Sequence, residues 1–509
     1  MATAPGAGSA LHGHEAGNGG HSQGQDLNER DGPREGPNRE ESESLVSRGK
    51  AMHQMSLWEL PLEDRSEAPN VQRGGEAGRA DHGKERSGSE HRLLMERVVA
   101  RENAVKALRR VRRNKGSPGI DGMRVEELEP YLHQHWQAIR EQLLAGTYRP
   151  NAVKRKLIPK SGGGVRGLGI PTVLDRFVQQ LMHQVLQPIF DPTFSEHSHG
   201  FRPGRGAHDA VRKAQQYVQD GRRWVVDVDL EKFFDRVNHD VLMGKLHNRI
   251  ADPQMLRIIR RYLEAGSMAN GVVVERHENT PQGGPLSPLL ANVLLDEVDK
   301  ELERRGHCFV RYADDCNVYM RSKRAGERVL TALRLKYAKL RLKVNEEKST
   351  VARVWDRKFL GYSFWVAPGK RVKLRVAAKA LMAMKQRVRQ ITSRNGGRSM
   401  GRVTKELGAY LRGWKEYFKL SNTPGVFSEL DQWIHRRLRA IQLKQWKRGR
   451  TAARALRALG LPEWLVQKGS GFGRRWWWAA ALGAMHTALP GSYFDRLGVP
   501  RLAAQTSTH

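Results

Sequence analysis

The chain has 509 residues, with 88 Lys and Arg against 54 Asp and Glu, and a formal net charge of +34 at pH 7. This length allows two or three domains, and so large a basic excess is typical of proteins that bind polyanions such as nucleic acids. The two cysteines exclude a framework of several disulfides and a cysteine-rich metal site.

Residues 1–90 differ in composition from the rest of the chain. They hold 10 basic and 16 acidic residues and few aromatic ones, so they bury too little apolar surface to offset the entropy of ordering. We predict a disordered N-terminal extension. The first residues lack the basic and apolar regions of a secretory signal, and we expect a cytoplasmic protein.

Residues 91–220 alternate predicted helices with glycine-containing segments. Apolar residues recur at helical spacing, and Thr172 is placed to cap one of the helices. Basic residues alternate along VKRKLIPKSGGGVRGLGIP, which reads as two strands around a glycine turn. In chain order we predict helices over 93–113 and 125–146, two strands within 153–171, and helices over 172–190 and up to residue 218.

Two acidic clusters lie on predicted strands further along the chain. WVVDVDLEKFFD ends an apolar strand at Asp229, and the strand-like runs FVRYA and NVYM flank Asp314 and Asp315. An adjacent pair of carboxylates can be a solvated hairpin tip. Such carboxylates nevertheless repel each other unless a cation lies between them, and Mg²⁺ prefers carboxylate oxygens. Three carboxylates from two strands could hold two Mg²⁺ ions for phosphoryl transfer.

The remaining elements are mostly helical and basic. A Gly/Pro loop precedes a long helix that ends near residue 306, a helix covers 325–340, and strands are expected over 342–354 and 358–367. From about residue 377 the pattern is helical, and residues 370–450 carry 22 basic against 4 acidic side chains. The most apolar stretch, 476–489, is too short to span a bilayer. We interpret it as a buried helix and expect no membrane partner.

Motifs in a fixed order carry a family resemblance. NKGSPGIDGM, RKLIPKSGGGVRGLGIPT, DLEKFFDRVNH, TPQGGPLSPLLAN, YADD, NEEKS and KFLGYSF are followed by AYLRGWKEYFKLS and LDQWIHRRLRAIQLKQWKR. The series, over roughly residues 91–500, resembles the reverse transcriptases of group II introns. The resemblance implies an α+β right-hand polymerase with fingers over 91–220, a palm over 221–368 and an α-helical thumb/maturase domain over 369–455. A basic segment without an endonuclease domain is expected over 456–509, as in the bacterial endonuclease-free branch.

The resemblance also implies roles for individual residues. Asp229, Asp314 and Asp315 match the catalytic ligands of two Mg²⁺ ions. Residues expected to bind the incoming nucleotide are Lys160, Arg166, Phe234, Gln282 and Gly283. Phe234 matches the gate against a ribose 2′ hydroxyl, with Phe233 as the second choice. Residues expected to contact nucleic acid are Arg202, Arg205, Arg412, Lys415, Arg436, Arg437, Arg439, Lys444 and Lys447.

The implied function is an RNA-directed DNA polymerase and maturase that binds its group II intron RNA, assists splicing and copies the intron into DNA during retrohoming. Its partners would be the intron RNA, an RNA template, a DNA primer or target DNA and deoxynucleoside triphosphates. The alternatives are a splicing cofactor without polymerisation, a reverse transcriptase domesticated for phage defence or diversification, and a basic structural RNA-binding protein. The intact acidic triad disfavours the first, the maturase-like helices disfavour the second, and the ordered catalytic motifs disfavour the third.

Overall fold

The computed structural model describes residues 94–159, 165–265, 267–269, 272–274, 283–471, 473 and 475–503. All of them belong to the unit Leu57–His509. The prediction of disorder over 1–90 lies outside the described residues. No helix in the described ranges is long and apolar enough to cross a membrane.

The N-terminal part of the described chain is a helical layer with a small sheet. Thr172 caps the central helix as predicted, because its side chain accepts a hydrogen bond from the Asp175 amide. The single helix expected over 93–113 is wrong, since Ala100 adopts an extended conformation with ψ of 139° and divides it. The helices are α1 (Leu94–Val99), α2 (Arg101–Asn114), α3 (Leu128–Leu144), α4 (Val173–Phe190) and α5 (Ala207–Gln219).

A four-stranded sheet accompanies these helices. The two predicted strands form an antiparallel hairpin whose register pairs Lys154 with Ile170. The strands of the sheet are β1 (Val153–Pro159), β2 (Val165–Ile170), β4 (Ser267–Ala269) and β5 (Val272–Val274). They lie in the order β2-β1-β4-β5, and the β1–β4 pairing is parallel.

A second four-stranded sheet, called the palm sheet below, consists of β3 (Trp224–Val228), β6 (Cys308–Tyr312), β7 (Asp315–Met320) and β8 (Thr350–Arg353). Its strand order is β6-β7-β3-β8. All its pairings are antiparallel, and the β3–β7 register places Val228 opposite Cys316. The helices around it are α6 (His239–His247), α7 (Pro253–Glu264), α8 (Ser287–Arg304) and α9 (Lys323–Lys339).

Both faces of the palm sheet are buried because side chains alternate along a strand. One face joins the hydrophobic core of the N-terminal helices, and it includes Val226, Phe309 and Val318. The other face joins a second core that continues into the C-terminal helices, and it includes Val225, Val310 and Tyr319. The palm therefore lies between two cores, and only the ends and edges of its sheet are open to ligands.

The C-terminal part is a hairpin followed by helices. The hairpin pairs β9 (Tyr362–Val366) with β10 (Val372–Val376). The helices are α10 (Ala378–Ile391), α11 (Met400–Tyr417), α12 (Pro424–Trp446), α13 (Gly449–Ala458), α14 (Glu463–Ser470), α15 (Trp476–Ala479), α16 (Gly483–Ala488) and α17 (Gly491–Arg496). The buried helix expected over 476–489 is wrong: two short helices replace it, and Trp478 is 53% exposed.

Candidate active site

The carboxylates of Asp229 and Asp315 meet at one end of the palm sheet. Val228 is paired with Cys316, so the next residue along β3 and the preceding one on β7 lie side by side. Both carboxylates line an open cleft, together with Asp227 and Glu347. The structure thus brings together the two strands that the sequence predicts to carry the acidic cluster.

Asp314 lies in the turn between β6 and β7. The register pairs Tyr312 with Asp315, which leaves Ala313 and Asp314 as a two-residue turn. The two aspartates could have formed the hairpin tip between them, but the turn consists of Ala313 and Asp314, and Asp315 already belongs to the strand. Ala313 has a φ of 59°, in the left-handed region that side chains other than glycine rarely adopt. This conformation brings both aspartates to the end of the sheet.

The carboxylates of Asp227, Asp229, Asp314 and Asp315 form an acidic cluster in which negative charges repel one another. Asp315 keeps contact with solvent at the mouth of the cleft, but the protein around it removes part of its hydration. This burial is the largest cause of a pKa of Asp315 raised to about 6, and repulsion from Asp314, Asp227 and Asp229 adds to the effect. The site is therefore one in which a bound cation would relieve repulsion.

Two cations of the protein partly balance this charge. The Lys348 Nζ lies 3.1 Å from Asp229 Oδ2, and the Arg357 guanidinium lies 2.5 Å from Asp227 Oδ2. Burial raises the pKa of Asp227 even so. Lys348 is 64% exposed at its side chain, so it can move away from Asp229 without being pulled out of a packed core.

The residues present fit magnesium, although no group of three or more His, Cys, Asp or Glu in the described chain forms a ready-made metal cage. Mg²⁺ is commonly held by one or two carboxylates, with waters and substrate phosphates as its other ligands. Asp229 and Asp315 supply carboxylate oxygens in an open cleft. This arrangement suits an ion that arrives with a nucleotide.

The predicted nucleotide-binding residues are only partly described. Lys160 and Gln282 lie outside the described residues, and only the backbone of Arg166 is described, in β2. Gly283 lies against β2: a Cβ at this position would be 2.2 Å from the Gly169 carbonyl oxygen. Its φ of 133° also requires glycine.

The two candidate gate residues lie in a short 3₁₀ turn after β3, Phe233–Asp235. The two rings contact each other edge to face, with centroids 5.0 Å apart. Phe234 is 9% exposed and Phe233 is 3% exposed. The choice between them stays a prediction, with Phe234 closer to the surface.

Two of the arginines predicted to contact nucleic acid are buried inside the protein. Arg202 pairs with Asp191 and donates to the Ser195 carbonyl at 2.6 Å. Arg439 donates to the Leu489 carbonyl at 2.9 Å. Both are at most 7% exposed, so they hold the fold together, and we remove them from the predicted RNA-contacting surface.

The other predicted contact residues reach the surface, but most also bond to the protein. Their hydrogen-bond acceptors are Glu196 for Arg205, Gly498 for Arg412, Arg501 for Lys415, Trp477 for Arg436, Thr392 for Arg437 and Asn395 for Lys444. Lys447 is exposed after the end of α12. All of these side chains except Arg205 and Lys447 connect segments of the C-terminal region. Replacing the whole set would therefore disturb the fold as well as any contact with RNA.

Sequence reasoning missed the basic residues of this cleft. The cleft is lined by Lys348, Arg357 and Lys358 as well as by the carboxylates. Lys348 belongs to the NEEKS motif and Lys358 begins KFLGYSF, so their place in the series of family motifs was the signal that could have identified them. Both lysines lie far from the acidic residues along the chain, which concealed that they line the same cleft.

Comparison with known proteins assigns both parts of the chain. Residues 158–364 match the family described as reverse transcriptase (RNA-dependent DNA polymerase), and residues 381–460 match the group II intron maturase-specific domain. The acidic cluster thus lies in the first of these domains, and the basic helices α10 to α13 form the second.

Individual relatives agree with these domain matches. Protein YkfC of Escherichia coli (strain K12) is 37% identical over 218 residues, which cover 42% of this chain and 57% of that protein. Group II intron-encoded protein LtrA of Lactococcus lactis subsp. cremoris is 37% identical over 188 residues, 37% of this chain and 31% of that protein. The matched segments thus span 57% of the first relative's length and 31% of the second's.

A solved structure, the partial Cas6-RT-Cas1–Cas2 complex, aligns over 48% of this chain and 42% of the matching chain at 25% identity. Its TM-score of 0.32 is too low to indicate a shared overall fold. The assignment therefore rests on the two domains and their order. A reverse transcriptase domain followed by a maturase-specific domain places this chain in the family of group II intron-encoded reverse transcriptases and maturases.

Proposed function

We propose that the protein is an RNA-directed DNA polymerase that also binds group II intron RNA as a maturase. The observation that carries the proposal is the meeting of Asp229 and Asp315, with Asp314 in the adjoining turn, at the open end of the palm sheet. Primer extension by the purified protein on an RNA template, with deoxynucleotides and Mg²⁺, tests it directly. Extension that is equal with and without a chelator would contradict it.

The chemistry follows from the charges in the cleft. Two bound Mg²⁺ ions would activate a primer 3′ hydroxyl and neutralise the leaving pyrophosphate. Asp229, Asp314 and Asp315 would hold them. Lys358, which lines the same cleft, would attract phosphate, and polymerisation then needs little from the protein beyond positioning and electrostatic stabilisation.

Splicing assistance would come from the basic C-terminal helices. RNA helices are recognised mainly through their shape, 2′ hydroxyls and phosphates, so dispersed exposed cations suit a structured intron. Such cations occur on α10 and α11, where Lys385, Arg402 and Lys405 are exposed. Among the described residues, their side chains form no ion pair or hydrogen bond with the protein.

Replacing Phe234 by alanine is expected to raise the incorporation of ribonucleotides relative to deoxyribonucleotides by about tenfold or more. The ring would otherwise occupy the space of the 2′ hydroxyl. The measurement is the ratio of kcat/KM for the two nucleotides with the same base. Phe233→Ala is the control, because this more deeply buried ring should lower thermal stability without changing the ratio. A changed ratio in Phe233→Ala alone would move the gate to that residue.

Replacing Lys385, Arg402 and Lys405 together by alanine is expected to weaken intron RNA binding more than extension on a short primer-template. Each lost phosphate contact should reduce the slope of log K against log salt by about 1. Filter binding at several salt concentrations measures this slope, and a splicing assay measures its consequence.

The matched control removes the same charge from the palm. Arg321, Arg324 and Arg328 are exposed around the start of α9, and their joint replacement by alanine should leave the intron-binding slope close to that of the wild type. Equal loss in both triple variants would mean that net charge, rather than the maturase surface, determines RNA binding.

A further inference from the structure

A buried ion pair lies beneath the turn that carries Asp314. Arg311 on β6 and Asp299 on α8 are both inaccessible to solvent at their side chains. The Arg311 guanidinium donates to both carboxylate oxygens of Asp299, at 2.6 to 2.9 Å. The fork of an arginine bound in this bidentate way has a fixed orientation.

The remaining nitrogen of the guanidinium connects this ion pair to the catalytic turn. Arg311 Nη1 donates to the Ala313 carbonyl at 2.9 Å and to Asn292 Oδ1 at 2.9 Å. Asn292 Nδ2 in turn donates to the Gly200 carbonyl at 2.9 Å. Arg311 and Asn292 together thus link β6, α8, the loop at Gly200 and the turn.

The backbone around the turn is packed without spare room. A Cβ on Gly200 would lie 2.3 Å from the Ala313 nitrogen, so the loop backbone presses directly on the turn. The Arg311 backbone also exchanges hydrogen bonds with this loop, donating to the His197 carbonyl and accepting from the His199 amide, each at 2.9 Å. Ala313 is therefore held in its left-handed conformation from the loop side and from the guanidinium side.

A buried ion pair is a poor means of gaining stability, since well-packed apolar residues often serve as well or better. Its value is geometric when the charged groups have one arrangement that satisfies them all. We propose that Arg311 is a positioning residue: with Asp299 and Asn292 it fixes the Ala313–Asp314 turn, so that the Asp314 and Asp315 carboxylates are already arranged for metal binding. The proposal rests on the proposed function, because it assigns a role to the turn that would hold the ions.

The test uses the full-length protein with Arg311→Lys. Lysine keeps the charge opposite Asp299 but lacks the planar fork that serves three acceptors at once. Mn²⁺ alone, titrated and followed by electron paramagnetic resonance, is expected to bind about tenfold more weakly, the lower end of the loss seen when supporting contacts of metal ligands are removed. Hydrogen exchange at the Asp314 and Asp315 amides should accelerate, while the affinity for primer-template stays unchanged.

Asn292→Ala serves as the second variant, because it keeps the Arg311–Asp299 ion pair and removes the amide that joins Arg311 Nη1 to the Gly200 carbonyl. If Arg311→Lys does not fold, the Mn²⁺ affinity and the hydrogen exchange of Asn292→Ala test the proposal in its place. Asp431→Asn is the control: this buried carboxylate accepts the Leu502 amide far from the palm, so its loss should lower thermal stability and leave Mn²⁺ binding unchanged. Mn²⁺ affinity within twofold of the wild type and unchanged exchange at the turn, in a folded variant, would overturn the proposal.

These readouts separate the two proposals. If the wild-type protein binds Mn²⁺ in an Asp314-dependent manner but does not extend primers, the proposed polymerase function fails while the positioning role is still measured. If the wild type extends primers and the variants bind Mn²⁺ normally, only the positioning role fails. A further check is Ala313→Gly in the Arg311→Lys background, where glycine accepts the left-handed φ without strain and should restore part of the lost affinity.

Discussion

Replacing Asp314 by alanine is expected to reduce primer extension by about 1,000-fold or more. The carboxylate lies in the turn next to Asp315, and its loss would leave the proposed ion site incomplete. A metal that stabilises transition-state charge contributes several kcal/mol, and each 1.36 kcal/mol is a factor of about ten in rate. Single-turnover extension of a labelled primer on an RNA template, at saturating nucleotide, measures the loss.

Intron RNA binding should survive this change, because the basic surface of the C-terminal helices is untouched. The matched control is Asp220→Ala, which removes an exposed carboxylate at the end of α5 and should extend primers at the wild-type rate. Extension by Asp314→Ala at a rate close to that of the wild type would remove the acidic cluster from the mechanism and favour a protein that acts on RNA without polymerising.

Replacing Gly283 by alanine is expected to abolish most extension. Its Cβ would lie 2.2 Å from the Gly169 carbonyl oxygen, a contact that only movement of the backbone can relieve, and the φ of 133° adds strain. Because Gly169 lies on β2, the strand that also carries Arg166, we expect weaker binding of the incoming nucleotide. The KM for deoxynucleotides should rise by about tenfold or more, since small displacements of positioning groups are costly.

The control separates a steric clash from backbone strain. Gly122 has a φ of 74°, and no atom lies within 4 Å of the place that a Cβ would take there, so Gly122→Ala carries strain alone. It should lower thermal stability slightly and leave the nucleotide KM unchanged. A normal KM in Gly283→Ala would mean that the loop yields without disturbing the nucleotide-binding side of the palm.

The acidic cluster was predictable because its signal is local. Each strand shows apolar alternation up to an aspartate, and antiparallel pairing brings the two ends together. Thr172 was predictable for the same reason, since a cap depends on residues within one turn of it. The position of the hairpin tip could not be predicted in this way. Ala313 takes a left-handed φ that its side chain disfavours, and contacts from Arg311 hold it there.

Long-range contacts explain the other differences. LKVNEEKSTVARV alternates like one strand, but only Thr350–Arg353 pairs with β3, and Val344 forms an isolated bridge with Leu230. The strand Val372–Val376 was missed within a basic segment, since its partner β9 decides its conformation. Burial of Arg439 was equally invisible, because the Leu489 carbonyl that it bonds comes from a distant segment of the chain. Arg202 instead bonds to Asp191 and Ser195 within its own loop, and the loop sequence does not reveal that its side chain turns inward.

The two-sided burial of the palm sheet has a consequence for how this protein is made. The face with Val225, Val310 and Tyr319 shares its core with helices that follow residue 376. On the ribosome, the catalytic strands therefore emerge well before the helices that complete their second core. Until then an incompletely covered apolar face is open to aggregation or to a chaperone. The helices of the maturase-specific domain thus complete the second core of the reverse transcriptase domain only late in synthesis.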